Sequence, residues 1–394
     1  MDNLFSFFCK ASKNELVRSI AGDTISFLLP PGIPISTISW GAFKIYKLMN
    51  KDVNFVDWQL KEWSFIYHKE LDNALNLQYK GTLMKLPQVI TLDNTQKQYE
   101  VNKFHFIQEK GSFVVENQYR GITEKAYSLL LESLNKKRTF NNGLCIRLKK
   151  IEFDDLDSSY ILTTQAVRYE QYLRSNLTLD AKLNNSNSLR QTIHNNGTLE
   201  SLEHSPLANN FGINILAFTA DYGLIVQQRG EKVAFRRGEY CPSGSGTLDD
   251  QDLPENNIRY SGEQIVRGLL RELTEEIGID KESIRKYFIL GITRELIRGG
   301  QPELFMVAYT NHTEEDVEKE WKQAKDRHEL EKFSVFRFDK GLMDKNVFDE
   351  EDVIKFGLEV DRCIENYFEK ASLPFLTAIA LWKKYILELK RKKA

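Results

Sequence analysis

Three glutamates with the spacing of a single helix face are the residues best suited to chemistry in this sequence of 394 residues. Glu272, Glu275 and Glu276 stand at i, i+3 and i+4, so a helix would place their Cβ atoms roughly 5–6 Å apart. Two like charges about 4 Å apart repel by roughly 4 kcal/mol at an effective dielectric constant of about 20. The cluster is therefore either a solvated acidic face or a set of oxygen ligands for a hard cation such as Mg²⁺ or Mn²⁺.

The residues around these glutamates predict the helix that would carry them. Ser261 is a plausible N-cap, and Gly278 stands where a left-handed residue commonly ends a helix. Apolar residues recur at every fourth position and predict a buried stripe on another face; they are Ile265, Leu269, Leu273 and Ile277.

The stretch from Asn257 to Ile279 resembles the Nudix box, G-x5-E-x7-R-E-U-x-E-E-x-G-U, in which U is aliphatic. The positions in register are Glu263, Arg271, Glu272, Leu273, Glu275, Glu276, Gly278 and Ile279. The sequence departs from the box at Asn257, which stands in place of the first glycine. Asparagine tolerates positive φ better than most residues, but the departure puts the shape of that loop in question.

The resemblance implies an α/β fold, a Nudix α/β/α sandwich with a mixed sheet, and hydrolysis of a nucleoside diphosphate linked to another group. It implies that Glu272, Glu275 and Glu276 bind Mg²⁺, with Mn²⁺ as the second candidate. Glu263 would make a further acidic contact to the metal or its waters, and Arg271 would orient the glutamates by ion pairing. The general base stays open between a glutamate of the box and an acid on a later loop.

Two further segments supply candidates for binding the substrate. The basic stretch 229–237 precedes the box, and its Arg229 and Arg236 are candidate phosphate ligands; the alternative is a solvated surface. The loop 298–303 contains Arg298 and Glu303, which are candidates for substrate or base roles against plain surface charge. In many Nudix proteins a glycine-rich strand leads into the metal site, and 243–246 (SGSG) would allow such a close backbone approach.

A second resemblance suggests the substrate class. The segments 205–235 and 241–246 are similar to the Nudix branch that includes UDP-glucose diphosphatases, which makes a nucleotide sugar the favoured substrate. The sequence departs from that branch at Ser243 to Gly246, where the branch tends to carry Gly-Gly followed by His or Glu.

Composition limits the remaining possibilities. The net charge of −2 gives no global field for nucleic acid, so no nucleic-acid partner is expected. The cysteines are far apart and form no CxxC pair, which indicates thiols of a reducing compartment; they are Cys9, Cys145, Cys241 and Cys363. Because the sequence starts without a typical secretory signal, we expect a cytoplasmic protein.

The length indicates two or three domains. We expect a helical module of unknown role at 1–85, a small, β-rich α+β subdomain at 86–195, and the Nudix domain with a C-terminal helix at 196–394. An apolar stripe through Val56, Leu60, Trp63 and Tyr67 favours core packing but also allows a homo-oligomer through these helices. Thr24 to Phe43 is uncharged but interrupted by prolines, which favours packing over contact with a membrane.

The sequence thus predicts Mg²⁺-dependent hydrolysis of the pyrophosphate bond of a nucleotide derivative. An alternative is a nucleotide sensor of the same fold that signals through the N-terminal helices. A third hypothesis, a membrane-associated effector, depends only on Thr24 to Phe43.

Overall fold

The computed structural model describes residues 63–133, 142–181, 187–230, 238–252 and 259–391. The predictions for Thr24 to Phe43, Val56, Leu60, Arg236 and Asn257 lie outside these ranges. Before residue 200 the elements are α1 (Trp63–Ile66), β1 (Ala74–Tyr79), β2 (Thr82–Asp93), β3 (Phe104–Phe113), α2 (Asn117–Ser133), β4 (Leu144–Asp154), β5 (Ser159–Arg168), α3 (Tyr169–Arg174) and α4 (Leu189–Ile193).

The elements after residue 200 form most of the larger sheet and carry the candidate site. They are β6 (Gly212–Phe218), β7 (Gly223–Arg229), β8 (Tyr240–Cys241), β9 (Gly244–Thr247), β10 (Arg259–Ser261), α5 (Glu263–Ile277), β11 (Ile284–Glu295), β12 (Gln301–Thr310), α6 (Glu314–Trp321), β13 (Leu330–Arg337), α7 (Lys340–Met343), α8 (Glu350–Tyr367) and α9 (Leu373–Leu389).

The strands form two mixed sheets. The larger sheet has the order β1-β2-β11-β12-β6-β7-β13, with β8 paired to β7 and β9 paired to β6. The smaller sheet has the order β10-β3-β5-β4. Parallel pairing joins β12 to β6 and β3 to β5, and the other pairings between these strands are antiparallel. The predicted α/β class is confirmed at this level.

Alternation along β6 places apolar side chains on both faces of the larger sheet. Ile213, Ile215 and Ala217 enter a core with α5 and the smaller sheet, whereas Leu216 and Phe218 enter a core with α8 and α9. Both faces of this strand are fully buried, since each of its residues is shielded from solvent. The candidate site, which lies on α5, is therefore built on a rigid central strand.

Helix α5 begins one residue later than its sequence suggests. Ser261 is the last residue of β10, and Gly262 is the N-cap, without a side-chain hydrogen bond. The prediction of Ser261 as the cap is wrong, since Ser261 belongs to β10, where it pairs with His105 of β3, and the helix starts after Gly262. At the other end the prediction is confirmed, since Gly278 has a φ of 88° and its N–H donates to the Thr274 carbonyl at 2.9 Å.

The prediction that the chain is mainly helical up to residue 85 is wrong for 74–85. These residues form β1 and the start of β2, and β2 pairs with β11 from Gln88 to Asp93. The larger sheet thus contains β1, from the predicted module 1–85, and β2, which continues into the predicted subdomain 86–195. None of the helices in the described ranges combines the length and the apolar composition needed to cross a bilayer.

Candidate active site

Arg271 on α5 connects the acidic helix to the segment that follows β9. Its guanidinium binds both carboxylate oxygens of Asp252, at 2.8 and 2.9 Å, and lies 3.7 Å from Asp249. The same group contacts Glu272 at 2.9 Å and Glu275 at 2.9 Å. Burial alone would lower the pKa of Arg271, but the hydrogen bonds to Asp252 and the neighbouring carboxylates raise it above its ordinary value. One arginine therefore fixes four acidic side chains.

Glu275 is the most strongly neutralised of the three clustered glutamates. It is paired with Arg271 and also forms an ion pair with Lys325, while its backbone carbonyl accepts from the N–H of Asp326 at 2.8 Å. Burial raises the pKa of this carboxyl, but the hydrogen bonds from Lys325 and Arg271 outweigh burial and lower it. Glu275 therefore stays ionised through partners within the chain.

Glu276 lies deeper, with 4% of its surface exposed. Its carboxylate accepts from the side-chain amide of Gln227 at 3.0 Å and from the backbone N–H of Ser245 at 3.1 Å. Burial raises the pKa of Glu276 to about 7, and the positive charge of Arg229 opposes that rise. The amide oxygen of Gln227, Oε1, is buried and has no hydrogen-bond partner in the described part of the chain.

Glu272 faces the backbone of β9. A methyl group at Gly246 would lie 2.3 Å from the carboxyl carbon of Glu272, so only glycine admits this carboxylate. At the next residue of the helix, the backbone of Leu273 would lie 3.3 Å from a methyl at Gly244. Burial, followed by the negative charge of Glu276, raises the pKa of Glu272 to about 8. The glycines of β9 thus let the strand approach α5 closely enough to bury two carboxylates.

Glu263 is placed apart from this pair. It is exposed at the first position of α5, and the Tyr287 hydroxyl lies 3.3 Å from both of its oxygens. Nine helical residues separate it from Glu272, a rotation of roughly 180° about the helix axis. Its side chain therefore lies on a different side of α5 from Glu272, and its contact with the metal or its waters stays a prediction. Within the described ranges, no three His, Cys, Asp or Glu side chains are grouped to hold a metal by themselves.

Arg229, a predicted phosphate ligand, ends β7 beside the buried pair. Its side chain is 19% exposed and its guanidinium is 3.4 Å from Glu329, while its charge acts on Glu276. The Nε of Arg229 is buried without a hydrogen-bond partner in the ranges that the structure describes. This arginine is thus positioned next to the acidic pair with a donor free for a further acceptor.

Arg298 lies in the predicted loop, between β11 and β12, with 16% of its side chain exposed, whereas Glu303 is buried within β12. Arg298 donates to the Tyr172 hydroxyl at 2.8 Å and lies 3.6 Å from Glu295. Glu303 lies in β12, 3% exposed, and is 3.4 Å from the side-chain amide of Gln88. The loop prediction failed for Glu303 because β12 begins at Gln301, two residues earlier.

Tyr169 connects these arginines electrostatically. Burial raises the pKa of its hydroxyl, and the charges of Arg298 and Arg229 both lower it. Each arginine therefore lies within electrostatic reach of the same phenol, although their own carboxylate partners differ. Arg229 therefore acts electrostatically on both Tyr169 and Glu276, whereas Arg298 acts on Tyr169.

Sequence reasoning missed several groups that build this neighbourhood. Asp249 and Asp252 belong to a short acidic run before the box, and that run was the available signal for an arginine partner. Gln227 gave no signal, because a glutamine in a buried strand is recognised as a contact to Glu276 only after the strand and helix are placed together.

The oxygen-rich composition of this neighbourhood fits a hard divalent cation. The half-buried carboxylate of Glu272 and the buried carboxylate of Glu276, together with the unpartnered Gln227 oxygen, are donors that Mg²⁺ and Mn²⁺ prefer. Mg²⁺ commonly takes one or two carboxylates and completes its shell with water and substrate phosphate. A complete protein cage is therefore not required for such an ion.

Comparisons with known proteins give only distant relatives. No family model and no curated protein matches the sequence. A crystal structure of the protein DR0079 from Deinococcus radiodurans matches with a TM-score of 0.20 and 11% identity, covering 26% of this chain and 57% of that one. A bifunctional NMN adenylyltransferase/ADP ribose pyrophosphatase from Francisella tularensis, complexed with AMP and a manganese ion, matches with a TM-score of 0.21. It is 14% identical, covering 38% of this chain and 41% of its own.

Proposed function

We propose that the protein is a Mg²⁺-dependent hydrolase that cleaves the pyrophosphate bond of a nucleoside diphosphate derivative, with nucleotide sugars as the favoured substrates. The observation that carries this proposal is that Glu272 and Glu276 both lie against β9, Glu272 at Gly246 and the buried Glu276 at the N–H of Ser245. The register of the Nudix box and the similarity to the UDP-glucose diphosphatase branch support the reaction and the substrate class.

The buried pair needs positive charge that the chain supplies only in part. Arg271 neutralises Glu272 on one side, and Arg229 acts on Glu276 from a distance. Burial of ionised carboxylates is costly unless they are paired or coordinate a metal. A divalent cation between Glu272 and Glu276 would offset this cost, and it would hold the two carboxylates in their ionised form.

Each residue of the site has a distinct task in the proposed reaction. Bound Mg²⁺ would neutralise the pyrophosphate and increase the acidity of a water molecule that it holds. Glu272 and Glu276 would hold the ion, and Arg271 would orient Glu272 and Glu275 through its guanidinium. The exposed part of the Arg229 guanidinium would bind a phosphate oxygen of the substrate.

The decisive experiment measures product formation by the purified full chain with Mg²⁺ and a panel of UDP-sugars, ADP-ribose and dinucleoside polyphosphates. The Glu276→Gln variant is compared with the unchanged protein on the best substrate. We expect kcat to fall at least about tenfold, which corresponds to roughly 1.4 kcal/mol. Glu282→Gln is the matched control, because Glu282 is exposed outside the site and its loss should leave kcat unchanged.

The same experiment separates the enzyme from the alternative of a nucleotide sensor. Tight binding of a panel member without turnover in the unchanged protein would favour the sensor. Equal kcat values for Glu276→Gln and the unchanged protein would refute the assignment of the buried pair.

A further inference from the structure

A second charged pocket lies on the face of the larger sheet that is opposite α5. Its volume is about 530 Å³, within the range of roughly 300–1,000 Å³ that is typical of small-molecule sites. The end of α9, the segment after α7, the β6–β7 turn and the start of β11 form its walls. Tyr385 and Ile386 of its lining belong to the core under α8 and α9, whereas the buried glutamates belong to the other face.

The lining of this second pocket is mainly cationic. Arg285, Lys286, Lys345 and Lys390 contribute four positive charges against the single carboxylate of Asp344. Neither Arg285 nor Lys286 has a carboxylate partner among the described residues, whereas Lys345 is paired with Asp352 at 2.5 Å. A concave surface with unpaired cations attracts an anion.

Lys390 is held in position by neutral acceptors. Its ammonium donates to the backbone carbonyls of Met343 at 2.5 Å and Lys345 at 2.6 Å, and the residue is only 7% exposed. Carbonyl oxygens orient the ammonium but leave its net charge in place. An ammonium has three donors, so one donor remains for a ligand in the pocket.

Tyr385 provides an independent sign that the pocket takes a ligand. The residue is 1% exposed, and its hydroxyl is buried without a hydrogen-bond partner in the described part of the chain. An unsatisfied buried hydroxyl costs about 1–3 kcal/mol, so such a group is uncommon unless something else satisfies it. Because Tyr385 lines the pocket, a ligand oxygen there would complete its hydrogen bonding.

Two further tyrosines give the pocket an aromatic wall. Tyr222 and Tyr309 have ring centroids 6.4 Å apart in an edge-to-face arrangement, and Arg285 acts electrostatically on both hydroxyls. Tyr222 has a φ of 61°, which is uncommon for a residue other than glycine and is maintained by the turn between β6 and β7. The wall combines flat rings with positive charge beside them.

We propose that this pocket binds a small organic phosphate with a flat ring, of the size of a nucleoside monophosphate. Arg285 and Lys390 contact the phosphate, and the Tyr385 hydroxyl donates to one of its oxygens. The rings of Tyr222 and Tyr309 pack against the ring of the ligand, and Asp344 accepts from a ligand hydroxyl or amino group. This site is separate from the proposed active site and does not depend on the proposed reaction.

Titration calorimetry on the full chain tests this assignment. The probes are AMP, UMP, adenosine and inorganic phosphate, each titrated without divalent metal and with a chelator present. The Glu276→Gln protein serves as the background, so that binding through metal at the buried glutamates is removed. We expect one nucleotide per chain, with adenosine and inorganic phosphate binding at least about tenfold more weakly.

Substitutions of residues that line the pocket test which side chains bind the nucleotide. Arg285→Gln should weaken nucleotide binding about tenfold, and Tyr385→Phe about fivefold, since each loses a contact to phosphate. Tyr385→Phe removes an unsatisfied hydroxyl, so its melting temperature should be unchanged or higher. Arg120→Gln, an exposed arginine on α2, is the matched control and should bind like the background protein.

Three results would overturn the proposal. The first is that no nucleotide binds at millimolar concentration. The second is that the background protein, Arg285→Gln and Tyr385→Phe all bind the nucleotide with equal affinity. The third is that inorganic phosphate binds as tightly as the nucleotide. The last result would indicate a simple anion site. Because no probe is hydrolysed and no metal is present, none of these results bears on the hydrolase proposal.

Discussion

The carboxylate of Glu272 lies against the α-carbon of Gly246, at a distance that leaves no room for a side chain. A methyl group at Gly246 would be 2.3 Å from the carboxyl carbon and 2.4 Å from the nearer oxygen of Glu272. The strand and the helix are therefore fitted to each other at the point where we place the metal.

Substitution of Gly246 by alanine should displace the Glu272 carboxylate. We expect Gly246→Ala to lower kcat/KM at least about tenfold, because small displacements of positioned groups cost large factors in rate. Mg²⁺ should also raise the melting temperature less than it does in the unchanged protein. Gly357→Ala on α8 is the control, since a methyl there meets nothing within 4 Å and should stabilise the helix by about 0.5–1 kcal/mol. Equal activities of the two variants would contradict the close fit.

The ion pair between Arg271 and Asp252 should contribute to the free energy of unfolding as well as to activity. Asp252 has 2% of its side chain exposed, and Asp252→Asn would leave the guanidinium without its bidentate partner. We expect the free energy of unfolding to fall by about 2–3 kcal/mol, measured by urea denaturation. The control is Asp250→Asn, at an exposed neighbouring position. A loss below about 0.5 kcal/mol for Asp252→Asn would show that the pair only orients the glutamates.

Arg229 should act on substrate binding. Arg229→Gln removes a charge next to Glu276 and a donor without a partner, so we expect KM for the best substrate to rise about tenfold. Steady-state kinetics at saturating Mg²⁺ measures the effect, with Arg168→Gln on the smaller sheet as the exposed control. If KM stays within about twofold of the unchanged value, the phosphate contact must be assigned to another residue.

His194 should make the protein less stable in mild acid. The sequence suggests a solvent-exposed loop histidine, but the structure buries it against Tyr67, with ring centroids 5.4 Å apart. Burial, then the charges of Arg190 and Arg294, lowers the pKa of His194 to about 3. The unfolded chain binds the proton near pH 6.5 and the folded chain does not, so stability should fall as the pH drops below about 6.5.

The expected loss from His194 is about 2 kcal/mol between pH 7 and pH 5. His194→Gln should remove most of this dependence, whatever its effect on stability at pH 7. His204→Gln, at an exposed position, should keep the pH dependence of the unchanged protein. Parallel stability curves for His194→Gln and the unchanged protein would contradict this assignment.

The parts of the site that depend on local sequence could be predicted, and those that depend on distant pairing could not. Helix α5 and the left-handed Gly278 follow from spacing within 15 to 20 residues, as the i+4 stripe and the glycine indicate. The partner of Arg271 could not be chosen by periodicity, because Asp252 lies in a separate loop before β10. Glu263 matches the motif, but helical geometry places it on a different face.

The same difference between local patterns and distant pairing applies to the fold. The sequence predicts strands at 212–219 and 333–338, and the structure has them at Gly212–Phe218 and Leu330–Arg337. The pairing of β2 with β11 joins residues about 200 positions apart, so no local pattern predicts it.

The pairing of β2 with β11 has a practical consequence for anyone who trims this protein. A fragment starting at residue 196 would keep the acidic helix but leave the backbone N–H and C=O groups of β11 without their partners between Gly291 and Glu295. Such an open edge recruits strands from other molecules. We therefore expect the shortened product to precipitate in expression trials, whereas one starting at residue 63 should remain in the supernatant.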